Sequence, residues 1–99
     1  MITSTRFTLG EVVATPGALQ ALTRNAQTPA EFLHRHRQGD WGCVCDEDKR
    51  LNDEAVAHEG DPDRQQRVLS VYFTTGKTKL YCITEWDRSV TTLLLSSEY

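Results

Sequence analysis

From Val68 to Leu95 the chain is a series of short β-type segments broken only by polar turns, and that spacing leaves few folds open. Val68, Ser70 and Tyr72 alternate with Leu69, Val71 and Phe73, so one set points to each side of a strand. Thr75-Gly76-Lys77 reads as a hairpin connection, Lys79 to Glu85 as a second strand and Ser89 to Leu95 as a third. The order gives an antiparallel meander. Its last turn is unusually rich in hydrogen-bonding groups: Glu85, Trp86, Asp87, Arg88 and Ser89, followed by Thr91 and Thr92. A hairpin needs turn formers but not that density of acids, hydroxyls, a guanidinium and an indole. The segment is therefore the leading candidate for a recognition surface. The plainer reading is a self-capped hairpin, in which Asp87 closes an Asx turn, Arg88 pairs with Glu85 and the threonines pair across strands.

The N-terminal half carries helix signals. Phe7 to Ala14, with Val12 and Val13, reads as a short strand or an extended entry. Thr15 can cap a following helix and Pro16 suits its first position, where no N–H is needed. Ala18, Leu19, Ala21, Leu22 and Ala26 form its apolar stripe. Thr28 and Glu31 have capping-box spacing. Phe32, Leu33 and His36 share a face of the helix they would open, and Gly39 is its expected stop. Trp41 is expected to plug the core. Asp46-Glu47-Asp48 begins a third helix with acids where the helix dipole favours them. Leu51, Ala55 and Val56 supply its thin stripe, and it stops near Gly60, before the Asp61-Pro62-Asp63 breaker. The class is α+β: a three-stranded antiparallel meander, with the N-terminal strand as candidate fourth member, packed against three short helices.

Ninety-nine residues make one domain, 1–99, with one core. A net charge of −3 argues against a general nucleic-acid coat. No apolar run approaches the roughly 18 residues of a membrane span, and Met1 to Arg6 has no signal-like apolar stretch. Three cysteines, an odd number, do not make a closed disulfide framework and suit a cytoplasmic setting.

Several residues could carry chemistry. His34, His36, Cys43 and Cys45 are four nitrogen and sulfur ligands, but their spacing does not match zinc fingers or ribbons, and no metal is expected. Cys43 and Cys45 precede a helix, which can activate a thiol; with Cys82 they read better as unreactive thiols. Glu85 and Arg88, with His36 and Asp40, could form an acid–base site on the sheet. Arg35, Arg37, Lys49, Arg50, Arg64 and Arg67 are scattered among acids, as on a solvated mixed surface. The third helix, with Asp46, Glu47, Asp48, Asp53, Glu54 and Glu59, could imitate phosphate charge.

Gly39-Asp40-Trp41-Gly42 and the block from Ile83-Thr84-Glu85 through Tyr99 resemble motifs of a group of small bacterial proteins encoded mainly on plasmids and integrative elements. The likeness takes in Glu11 to Leu19, Phe32-Leu33, His36, Glu47-Asp48, Asn52, Arg67, Ser70, Tyr72 and Gly76. Cys43 and Cys45 depart from it, standing where the group tends to acidic or aliphatic residues, and Trp86 stands where a small residue is common. The group has no established activity. The resemblance implies a mobile-element protein that binds a host or element-encoded protein and so modulates a restriction or interference system. On this reading the chain is a non-enzymatic cytoplasmic binder without cofactor, and its contact residues are Asp40, Trp41, Glu85, Trp86, Asp87, Arg88, Ser89, Thr91 and Tyr99. The alternative is a small metal-independent ribonuclease or toxin-like domain in which His36 or Glu85 moves the proton and Arg88 stabilises phosphoryl charge. A homodimer is a further expectation, because an apolar Ser89–Leu95 strand at a sheet edge would need covering.

Overall fold

The computed structural model describes residues 6–99. The chain forms β1 (Glu11–Ala14), α1 (Pro16–Arg24), α2 (Pro29–Arg37), α3 (Asp46–Ala57), β2 (Val68–Phe73), β3 (Lys79–Thr84) and β4 (Val90–Leu95), then a 3-10 turn over Ser96–Glu98. The strands make one sheet in the order β1-β4-β3-β2. β2, β3 and β4 are the antiparallel meander expected from the sequence, and β1 joins it parallel to β4. The class is α+β.

The alternation in the strands decides which side the helices cover. Val68, Ser70 and Tyr72 on β2, Leu80, Cys82 and Thr84 on β3, and Thr91 and Leu93 on β4 all turn inward and are buried. One core cluster joins Ala18, Leu22 and Phe32 of the first two helices to Tyr72, Leu80, Cys82 and Leu93. A second joins Phe7, Trp41, Ala55 and Val68. Burial in the first pushes the Cys82 thiol up to about 12, so it is an inert packing group. Trp41 plugs the core as expected, with its indole N–H donating to Asp53 Oδ1 at 2.9 Å.

Thr15 caps α1, accepting the Ala18 N–H at 3.1 Å. The Thr28–Glu31 capping box does not form: Thr28 makes no side-chain cap bond, and Glu31 accepts instead from Gln27 Nε2 at 2.9 Å. Within Phe7–Ala14 the strand covers Glu11–Ala14 alone; Phe7 to Gly10 lead into it without being strand, and Phe7 is a core residue. Leu19 and Leu51, assigned to apolar stripes by helical spacing, are both exposed. The buried residues of α3 are Asn52 and Ala55.

Asn52 is buried because it closes the β2 edge. Its Nδ2 donates to the Leu69 carbonyl at 2.6 Å and its Oδ1 accepts the Leu69 N–H at 3.0 Å, as a neighbouring strand would. Two residues on, Val71 N–H donates to the Trp41 carbonyl at 3.0 Å and Cys43 N–H to the Val71 carbonyl at 2.7 Å. Gly42, at φ 72°, permits this approach; a Cβ there would strike the Val71 carbonyl oxygen. The apolar third strand of the meander is not an edge. β4 lies between β1 and β3, so the expected reason for a dimer at Ser89–Leu95 is removed: its backbone is paired on both sides.

Candidate binding site on the helix-free face

Among the described residues no α-helix covers the opposite side of the sheet. Tyr81 and Ile83 of β3 and Val90, Thr92 and Leu94 of β4 turn outward there by the same period-2 rule. Ile83, Val90, Thr92 and Leu94 form, with Pro62, Asp63, Gln65, Gln66 and Arg67, an open groove of about 770 Å³. Trp86 stands at the β3–β4 turn. Tyr99 stands edge-on to Tyr81, ring centroids 5.3 Å apart. Glu85 and Asp63 also line the groove. Trp86 and Tyr99 are the most exposed of the large hydrophobic side chains, at 55% and 66%.

The Pro62–Arg67 wall is tied to the sheet at successive residues. Gln65 Nε2 donates to the Trp86 carbonyl at 2.7 Å, the Gln66 carbonyl accepts from Arg88 Nη1 at 2.7 Å, and Arg67 Nη1 donates to the Tyr99 hydroxyl. Neither Gln65 nor Arg67 carried a sequence signal for this role. Ile83, Thr92 and Leu94 did, in the strand alternation, once the covered side was known.

The expected site residues divide sharply. Glu85, Trp86 and Tyr99 line the groove. Asp87 and Ser89 build the turn that presents Trp86. Ser89 N–H donates to Asp87 Oδ1 at 3.0 Å, closing the expected Asx turn, and Ser89, through side chain and backbone, holds the Asp87 carboxyl below its ordinary value. Arg88 is a structural residue. Its pairing with the Glu85 carboxylate does not form; Nε donates to Glu59 Oε1 at 2.9 Å, and Nη1 donates to the Gln66 and Glu85 carbonyls. Nη2 also lies 2.8 Å from Glu59 Oε1, but its N–H bonds are not aimed at that oxygen, so it makes an ion pair without a well-formed hydrogen bond. Arg88 sits in the turn at φ 61°, with its guanidinium 5.5 Å from the Phe7 ring centroid. Asp40 is exposed and belongs to a different surface, where Arg35 Nε donates to it at 2.7 Å and holds its carboxyl below the usual range. Trp41 and Thr91 are buried.

His36 is enclosed as well. Its Nδ1 lies 2.5 Å from Ser70 Oγ and its Nε2 lies 2.9 Å from Thr84 Oγ1, while Phe7 and Trp41 stand edge-on to the ring. Burial, assisted by the Arg88 charge, pushes its pKa down to about 3. His36 and Arg88 are thus neighbours, but neither opens to the groove. The thiols of Cys43 and Cys45 are exposed and His36 is not, so His34, His36, Cys43 and Cys45 do not converge. Among the described residues no group of three or more His, Cys, Asp or Glu side chains is placed to hold a metal ion. Of the acids expected on the third helix, Glu47 and Glu54 pair with Arg50 and Asp53 accepts from Trp41, while Glu59 lies beyond the end of α3 and pairs with Arg88. No described helix is long and apolar enough to cross a membrane.

These features define an α+β domain with one side sealed by helices and the other offering an aromatic-rimmed groove. No family model, curated protein or solved structure gives a significant match to the chain.

Proposed function

We propose that this chain is a non-catalytic binding protein and that its contact surface is the groove between Trp86 and Tyr99. The observation that carries this reading is the placement of the two most exposed aromatic side chains on one groove that no described α-helix covers and whose floor includes Ile83 and Leu94, 7% and 8% exposed. Aromatic residues of this kind are the usual energetic anchors of protein interfaces. The turn and wall that hold them are tied down by Asp87, Arg88, Gln65 and Arg67, so little ordering would remain to oppose binding. The motif resemblance to plasmid-borne proteins supplies the context: the partner is a host or element-encoded protein, and the process a restriction or interference system.

The ribonuclease alternative draws less support. It needs His36 to exchange a proton with substrate, and both His36 nitrogens are taken by buried hydroxyls. Glu85 is exposed, and the Arg88 guanidinium is bound to Glu59.

A photo-reactive amino acid at position 86, and separately at Glu31 on the helical side, tests the binding reading in a bacterial host. A discrete crosslinked protein from position 86 alone, lost in a Tyr99→Ala background, is the expected result. Identical crosslinks from both positions would reject the groove as the contact surface.

A further inference from the structure

We propose that the outer edge of β1 is a self-association surface, on which a second copy of the chain adds its own β1 antiparallel about a two-fold axis at Val13. The two edges of the sheet are treated differently. The β2 edge is closed at Leu69 by Asn52 and at Val71 by the Trp41–Cys43 backbone. Among the described residues the β1 edge has no such device. Glu11 N–H donates to the Ser89 carbonyl and Thr15 N–H to the Leu93 carbonyl, so the odd-numbered backbone groups of β1 face β4. The N–H and C=O groups of Val12 and Ala14 face the other way by alternation, and none of the four has a partner among the described residues. Glu11–Ala14 carries no lysine, no proline and no bulge; its shortness and the Glu11 charge at one end are all that blunts the edge.

The pattern is self-complementary. With Val13 opposite its own copy, Val12 falls opposite Ala14 of the second chain, and the two exchange both hydrogen bonds; the symmetric pair does the same. All four outward groups are then satisfied in each chain. Glu11 falls opposite a threonine, so no like charges face each other across the ladder. The flanks are apolar: Val12 and Val13 are 43% and 41% exposed on the two faces of the strand, and Leu19, in the helix that follows at once, is 43% exposed. A strand pair of four residues per chain buries less than the roughly 1,600 Å² of a standard interface, so the association is concentration-dependent. The product is one continuous sheet across two copies, with both Trp86–Tyr99 grooves on helix-free faces.

Cysteine crosslinking tests this register. In a Cys43→Ser/Cys45→Ser background, where the remaining Cys82 is buried, Val13→Cys places two thiols at a non-hydrogen-bonded pair. The Cα separation there, about 4.5 Å, lies within disulfide range. Mild oxidation should link Val13→Cys chains at least tenfold faster than Glu31→Cys chains, and faster than Val12→Cys chains, whose facing residue is alanine. The unsubstituted protein should rise from 11.2 kDa toward twice that mass by light scattering as concentration increases, and Val13→Lys, folded by circular dichroism, should stay at 11.2 kDa. Equal crosslinking at 13 and 31 overturns the proposal, whether the mass stays monomeric, as a foreign strand as true occupant would leave it, or doubles through another surface.

Discussion

The Thr91 hydroxyl donates to the Leu9 carbonyl at 2.7 Å, and this bond sets the direction of a whole buried chain of hydrogen bonds. Thr91 has one hydrogen, and the Leu9 carbonyl takes it. Thr84, 2.6 Å away, must therefore donate to Thr91. Thr84 is then left as an acceptor for His36, so the imidazole proton sits on Nε2 and bare Nδ1 accepts from the Ser70 hydroxyl. One backbone carbonyl thereby selects the tautomer of a histidine that links α2 to β2, β3 and β4. Every member of the line is satisfied, which is the condition under which a buried polar network stabilises a unique core.

That arrangement predicts an acid-sensitive fold. His36 is neutral in the folded chain with a pKa of about 3, against 6.5 when unfolded. The unfolded chain therefore binds more protons between those values. The stabilising contribution is fully present above pH 6.5 and is lost as pH falls toward 3. Between pH 7 and 5 the loss is about 2 kcal/mol from this group. Urea unfolding of the wild type and of His36→Gln across that range should show the slope in the first and its near absence in the second, which will be less stable at pH 7.

Removing Glu59, 25% exposed, leaves the Arg88 guanidinium, 5% exposed, without its counter-charge. Glu59→Ala should cost about 3 kcal/mol, the scale for breaking a buried ion pair from one side. Because Arg88 also holds the Glu85 and Gln66 carbonyls, the turn should loosen, and Trp86 fluorescence should shift before global unfolding in a denaturant titration. A single coincident transition would show that the turn does not depend on this pair.

Asn52→Ala removes both bonds to Leu69 and leaves a strand N–H without its partner. A loss of about 2 kcal/mol is expected, since an unmade buried bond costs more than a made one contributes. Hydrogen exchange at Leu69 should quicken selectively.

One change should stabilise. Ala26 follows α1 at φ 54°, and Gln27 N–H bonds the Leu22 carbonyl while Ala26 N–H bonds that of Thr23. This is a Schellman end with alanine where glycine is preferred. Ala26→Gly should raise stability by about 0.5–1 kcal/mol, read as a higher thermal midpoint.

What the sequence by itself determined was local. Strand alternation placed Val68, Ser70 and Tyr72 on one side; Thr15 and Pro16 started a helix; Asp87 and Ser89 closed a turn. Each is set by residues a few positions apart, where spacing and capping chemistry act directly. The tertiary structure decided the rest. It placed β1 beside β4, which moved the open edge to Val12 and Ala14. It gave Arg88 to Glu59, 29 residues away, instead of Glu85, and buried His36 between Ser70 and Thr84. It also left the Trp86–Tyr99 face without an α-helix, because the three helices all pack on or beside the other side of the sheet. Partners so far apart in the chain meet only when the elements are assembled, and a helical or β spacing carries no record of which element will arrive opposite.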